Sequence, residues 1–329
     1  MQLQVGTARV DITPGAGYLR NEWGGQQTLA VETLRPLYAK VLVFQVNSCH
    51  LALVSLDLLS IDRELTARIR KRVQKEGILP ESLLLNCSHT HEAPMYSDLI
   101  SVYPGQDSRE LEYNSFLVEI VSRAISRACN SLTPATLRLG EVDTRGQLNR
   151  NRRRPQQRVD TILRVLRVDS ADGKRLAVAW HFGAHPLTRY GDTGCWSSDF
   201  PGLTSAMIEE QFPEVQCQFL QGVSGDVFPL DWYFDDQTPA YPVGSESENA
   251  MAGSLAEYIV AALESSNPVS GPIRTIRTEI GLPARTVNWT RAEADALAQR
   301  LTERVRRMPF QPWQPGLHHQ HLLIPGASR

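Results

Sequence analysis

The residues best suited to chemistry stand at the ends of two apolar runs. Leu83-Leu84-Leu85-Asn86-Cys87-Ser88-His89-Thr90-His91-Glu92-Ala93-Pro94 carries two histidines spaced two apart. Leu176-Ala177-Val178-Ala179-Trp180-His181-Phe182-Gly183-Ala184-His185-Pro186 ends on a histidine followed by a proline that cannot continue a β-ladder. In extended backbone, side chains at i and i+2 leave the same face, so His89 and His91 are expected to point together beyond a strand end. Neutral imidazole is the commonest zinc ligand, and a catalytic zinc takes about three protein ligands with one position left for water or substrate. His89 and His185 are therefore read as metal ligands at one shared site. His91 stays open between binding the metal and donating or shuttling a proton beside it. His181, in mid-run, is read as a core residue.

Carboxylates occur where further strands should end: Asp57 after Val54-Ser55-Leu56, Asp199 in Ser197-Ser198-Asp199-Phe200-Pro201-Gly202, and Asp226 in Gly225-Asp226-Val227. Ligands of open α/β sheets gather at the carboxyl ends of strands, so each could reach the same pocket. Asp199, directly before Phe-Pro-Gly, reads equally well as a helix N-cap. Asp226 lies in a turn whose glycine lets backbone approach closely, and it is the stronger catalytic candidate. Arg152 could anchor an anionic or carbonyl-bearing substrate through a bidentate contact. Ser224 is a candidate substrate contact or nucleophile, although an active serine also requires a positioned base and oxyanion donors.

These groups need a scaffold, and the hydrophobic pattern supplies an α/β one. Strands are expected at Lys40–Val46, Leu51–Leu58, Leu83–Cys87, Thr136–Val142, Thr161–Val168, Leu176–Phe182 and Cys217–Leu220. Helices are expected at Asp62–Val73, Glu110–Asn130, Pro201–Gln211, Glu248–Leu263 and Arg291–Arg306. A chain of 329 residues can bury a large core, and its net charge of -2 gives no electrostatic reason to expect a nucleic-acid partner. The basic run Arg150-Asn151-Arg152-Arg153-Arg154 reads as a solvated loop. Cys49, Cys87, Cys129, Cys195 and Cys217 are scattered without a CxxC pair, which indicates neither a disulfide framework nor a thiolate zinc knuckle and fits a reducing compartment. No basic leader or membrane-spanning run is visible, so a cytoplasmic, soluble protein is expected.

Taken together, Val5-Gly6-Thr7-Ala8-Arg9-Val10-Asp11-Ile12-Thr13-Pro14, Ser88-His89-Thr90-His91-Glu92-Ala93-Pro94, Asn151-Arg152-Arg153, Ala184-His185-Pro186, Ser198-Asp199-Phe200-Pro201-Gly202 and Gly225-Asp226-Val227 resemble the neutral/alkaline ceramidase family, in matching order over roughly the first 230 residues. The resemblance implies an αββα-like layered catalytic domain of mixed β-sheets flanked by helices. It also implies zinc-dependent hydrolysis of an N-acyl amide such as that of ceramide. On it, His89 and His185 match metal ligands, His91 lies beside the zinc as a substrate or transition-state contact, and Arg152 matches an active-site arginine, with Arg150 as the alternative register.

Two features depart from the family pattern. The serine regarded as nucleophile, directly after Gly-Asp-Val, is Phe228 here, and the later glutamate and tyrosine ligands have no counterpart after Ile324-Pro325-Gly326-Ala327. Three readings follow. Metal-activated water could replace the serine, the metal lowering the pKa of water to about 7. The chain could be an unfinished, inactive copy that binds a ligand or partner through the same cleft. Or Asp57, Asp226, His318, His319 or His321 could complete the metal shell. The expected organisation is a metal-hydrolase domain over residues 1–268, with 269–329 as the incomplete start of a C-terminal part of that domain. The expected substrate is a small-molecule or lipid amide, and oligomeric state is left undetermined.

Overall fold

The strand Tyr38–Val46 shows how the layers arise. Ala39, Val41 and Val43 pack toward helices, whereas Leu42 and Phe44 pack toward a second layer of strands. That is the period-two pattern of a strand buried on both faces. The computed structural model describes residues 2–21, 27–94, 108–152, 154, 156–189, 194–229, 245–272, 275–276, 278, 281 and 290–307. In chain order, β1 (Leu3–Asp11), β2 (Leu19–Asn21), β3 (Gln27–Leu29), β4 (Glu32–Thr33), β5 (Tyr38–Val46) and β6 (Cys49–Leu56) precede α1 (Arg63–Val73). Strand β7 (Leu83–Cys87) and helix α2 (Ser108–Cys129) are followed by β8 (Thr133–Asp143), β9 (Asn149–Asn151), β10 (Ile162–Ser170), β11 (Arg175–Phe182) and β12 (Cys195–Trp196). Helix α3 (Asp199–Gln211), β13 (Gln216–Gln221), β14 (Val227–Pro229), α4 (Ser245–Glu264) and β15 (Asn267–Val269) complete the elements of one compact unit, Met1–Thr275. The other unit, Ile276–Arg329, holds α5 (Arg291–Arg307). Thr290 and Glu293 open that helix with a reciprocal capping box.

Nine strands form one mixed sheet in the order β13-β11-β10-β8-β1-β5-β6-β7, with β15 beside β8. Only Gln4↔Pro134 and Val5↔Thr133 join β1 to β8. Such a short junction lets the sheet fold into two halves, which face each other across Val5, Leu42, Phe44, Leu53, Val168 and Ala179. Helices α1 and α2 cover the outside of the β1-β5-β6-β7 half through Leu65, Ile69, Val73, Leu117, Val121 and Ile125. Helices α3 and α4 cover the other half, where Phe200, Ile208, Leu255 and Ile259 pack with Val165 and Trp180. The result is the expected α/β fold, with mixed strands in two central layers and helices outside. Lys40 of β5 crosses between the halves, its Nζ donating to Glu209 Oε1 at 2.8 Å and to the Cys217 carbonyl at 2.6 Å.

The central strand β1 was not expected from the hydrophobic pattern, because LQVGTARVD alternates weakly. Its Gly6 faces α2, where a Cβ would lie 1.8 Å from the Ala128 carbonyl oxygen, so only glycine lets the helix sit this close to the strand. Among the described residues, no helix is long and apolar enough to cross a membrane.

Candidate metal centre

The free ends of the folded sheet, β7 and β13, are drawn together by one side chain. Asn86 accepts a hydrogen bond from Gln221 N at 2.7 Å and donates from Nδ2 to the Gln221 carbonyl at 3.3 Å, so its amide imitates a neighbouring strand. The loops leaving β7, β11 and β13 therefore open at one place. Beyond β11 and β13 the backbones nearly touch: a Cβ on Gly222 would lie 3.0 Å from the Phe182 carbonyl, and one on Gly183 would lie 2.8 Å from the Val223 carbonyl. This approach carries the Ser224 carbonyl to His185.

His89, His91 and His185 converge, with one ring nitrogen from each within 4.8 Å of the others. The route differs from strand alternation. Strand β7 ends at Cys87, and His89 has a left-handed φ of +70°, so the i, i+2 rule does not apply across it. The turn is held by Ser88 N donating to the Leu56 carbonyl and His89 N to that of Leu58. Left-handed backbone at a non-glycine residue costs on the order of 1–3 kcal/mol, and such strain clusters at functional sites.

Tautomers follow from the partners. His89 Nδ1 lies 2.9 Å from the Leu59 carbonyl and His185 Nδ1 lies 2.9 Å from the Ser224 carbonyl. A carbonyl can only accept, so both Nδ1 atoms carry the proton and both Nε2 atoms present lone pairs. This is the orientation that metal-binding histidines adopt, with the outer nitrogen tied to a carbonyl. His91 Nε2 lies 3.1 Å from His185 Nε2. The donor set thus fits a divalent metal that favours nitrogen, such as zinc.

Burial favours the neutral imidazole. It lowers the pKa of His89, and it lowers that of His185 to about 4, with His89 and the Arg152 guanidinium adding to the effect and the Ser224 carbonyl opposing it. Protons therefore compete little for these nitrogens at neutral pH. The sign for stability follows from linkage: unfolded His185 takes up a proton below its ordinary 6.5, whereas folded His185 waits until about 4. As pH falls from 6.5 to 4, the metal-free parent should lose on the order of 3 kcal/mol of stability relative to a His185→Gln variant, measured by denaturant melts of both proteins. The comparison has to be made against the variant. Burial raises Asp57 and Asp199 each to about 6, which favours the fold at low pH and opposes the histidine effect in the parent's own curve.

The other expected site residues are distributed around this centre. The Arg152 guanidinium lies over the Phe228 ring, 4.6 Å from its centroid, and that ring meets His185 edge-on at 4.8 Å. Arg150 pairs with Phe228 across the β9–β14 ladder. Asp226 is exposed; its carboxylate accepts from Asn151 Nδ2 at 2.7 Å and its carbonyl from Arg152 N at 2.8 Å, so it shapes the arginine loop. Ser224 is buried and holds His185 through its backbone. Asp57 receives Tyr38 N at 2.9 Å, and His181 stays half-buried on β11 opposite Arg164. Among the described residues, only the three histidines form such a convergent donor group; His318, His319 and His321 lie outside the described residues. Asn86 was not anticipated as part of the site, and Phe228 was singled out only as the residue standing where the family pattern has a serine. The one available signal for Asn86 was an amide interrupting a run of leucines.

The fold and the imidazole cluster together define an α/β scaffold carrying a candidate metal centre, and that scaffold is similar to the fold of solved ceramidase structures. The chain is similar to the crystal structure of the neutral ceramidase from Pseudomonas aeruginosa, with a TM-score of 0.67 and 19% identity over 80% of this chain and 45% of the other. It is also similar to a structure of ceramidase complexed with C2, with a TM-score of 0.68 and 19% identity over 80% of this chain and 44% of the other. The chain thus spans less than half the length of the structures it matches. No family model and no curated protein matches it.

Proposed function

We propose that this protein is a zinc-dependent hydrolase of N-acyl amide bonds, with a ceramide-like lipid amide as substrate class. The observation that carries the reading is the meeting of His89, His91 and His185 in a ceramidase-type fold. When bound, the metal would polarise the acyl carbonyl and lower the pKa of water to about 7. His89 and His185 would hold it through their Nε2 lone pairs, and His91 would complete the three-nitrogen set. Arg152, supported by Phe228 and by the Asp226 carbonyl, offers a guanidinium beside His185 to orient the substrate carbonyl. Phe228 has no nucleophilic atom where the family pattern has a serine, and on this reading the attacking group is metal-activated water. Val223, 82% exposed, lies beside Ser224, whose carbonyl holds His185, and supplies apolar surface next to the cluster.

The test is direct. Purified full-length chain should contain about one zinc, as three-ligand catalytic sites do, and should release fatty acid from a short-chain N-acyl amide. A chelator should abolish release and added zinc restore it. A zinc-loaded chain that turns over no amide would replace the enzyme with a ligand-binding protein.

A further inference from the structure

The ring nitrogens of the two histidine-bearing loops meet, and the segment 195–199 is hydrogen-bonded to both loops. Thr90 Oγ1, between His89 and His91, donates to the Ser197 carbonyl at 2.8 Å, and Ser197 N donates to the Glu92 carbonyl at 3.0 Å. Two residues on, the Asp199 carboxylate grips the other loop. Its Oδ1 accepts from Thr188 Oγ1 at 2.6 Å and its Oδ2 from Arg189 N at 3.2 Å, three and four residues past His185. Asp199 N in turn donates to Ser197 Oγ at 3.1 Å, which closes the chain of bonds between the loops. Asp199 is fully buried, and Thr188, Ser197 and Thr90 are fully buried with it.

On the metal-centre reading above, we infer that Asp199 is a positioning residue: through Thr188 and Arg189 on one side and Ser197 on the other, it sets the separation between His185 and the His89–His91 pair. A helix cap alone does not account for it. The N-cap of α3 is Ser198, not Asp199 as the sequence allowed; Asp199 is the first helical residue, and its one bond into the helix is from Phe200 N to Oδ1, at 2.6 Å, whereas the bonds to Thr188 and Arg189 leave α3 and cross to the ligand loop. The Arg189 side chain fixes that loop a second time, its Nη1 donating to buried Glu248 Oε2 at 3.0 Å. Glu248 is itself held by Arg35 through two bonds of 2.9 and 3.0 Å. A carboxylate is required at 199 because every neighbour donates. Whichever way its amide is turned, an asparagine would face its NH2 group to a backbone N–H, that of Arg189 or that of Phe200, and leave a buried donor without an acceptor.

The experiment compares Asp199→Asn, Thr188→Val and Thr188→Ser with the unsubstituted full chain, and uses Ile208→Val on the same helix as a packing control. Two quantities are read: zinc affinity by competition with a chromophoric chelator, and, in zinc-free protein, solvent exchange of the His185 Nδ1 proton by NMR. Asp199→Asn and Thr188→Val should weaken zinc binding about 10–100-fold, the range typical of lost outer partners, and speed the ring-proton exchange. Thr188→Ser, which keeps the hydroxyl, and Ile208→Val should match the parent in both. If Asp199→Asn does not fold, the Thr188 pair decides alone. Unchanged zinc affinity and unchanged ring-proton exchange in Thr188→Val and any folded Asp199→Asn protein would overturn the inference. If the parent binds no zinc but the ring proton still loses protection in Thr188→Val, the positioning role stands and the metal-hydrolase reading falls.

Discussion

Replacing His185 by alanine should empty the metal site and stop amide turnover while leaving the chain folded. Zinc per chain should fall from about one to background, and turnover should drop by more than about 100-fold, beyond what loss of a mere outer partner costs. The reasoning rests on the direction of the lone pairs. With Nδ1 committed to the Ser224 carbonyl, His185 offers Nε2 to the cluster, where alanine offers no donor at all. His89→Ala should behave alike, because its Nδ1 is committed to the Leu59 carbonyl in the same way. His91→Ala should also release zinc, as the described residues place no fourth donor in the group. Zinc retained at one per chain in the His89 and His185 variants would remove the mechanism. Retention in His91→Ala alone would move that residue from ligand to proton carrier.

What could be read beforehand divides along physical lines. The twin histidines were legible because an imidazole at the end of an apolar run is chemically conspicuous, and the main strands and helices were legible because their periodicity is strong. Helix α1, for example, was expected at Asp62–Val73 and forms at Arg63–Val73, with Asp62 as the cap whose Oδ1 accepts from Leu65 N at 2.6 Å. Strand β1 was not legible: it lies at the junction of two half-sheets, where Gly6 and Arg9 serve packing and an ion pair with Glu209 rather than an alternating face. The manner in which His89 and His91 meet was also hidden. Their spacing suggested extended backbone, but the φ of His89 is imposed by the Leu56 and Leu58 carbonyls, which are tertiary partners. Asp199 was conspicuous as a carboxylate near a strand end and Asn86 as an amide among leucines, but the partners of both were hidden for the same reason. Each is defined by a partner more than ten residues or a whole loop away, and local patterns do not report such pairs.

Phe228→Ser should cost about 3–5 kcal/mol of stability, the range for deleting a buried phenyl ring, and should lower rather than raise turnover. The ring is fully buried and supports both chemical groups: it meets His185 edge-on at 4.8 Å and carries the Arg152 guanidinium at 4.6 Å on its face. Its loss leaves a cavity beside the ligand and removes a cation–π contact worth roughly 0.5–2 kcal/mol to the arginine. A hydroxyl introduced there gains no base by itself, since His185 Nδ1 is already committed to a carbonyl and its Nε2 faces the cluster. Urea melts and turnover on the same N-acyl amide measure the two effects, with Phe228→Leu as a partial filling that should recover part of both. The decisive outcome is the sign of the activity change. A gain on Phe228→Ser would mean that the scaffold is built for a serine nucleophile; a loss is what an aromatic wall that holds His185 and Arg152 in place requires.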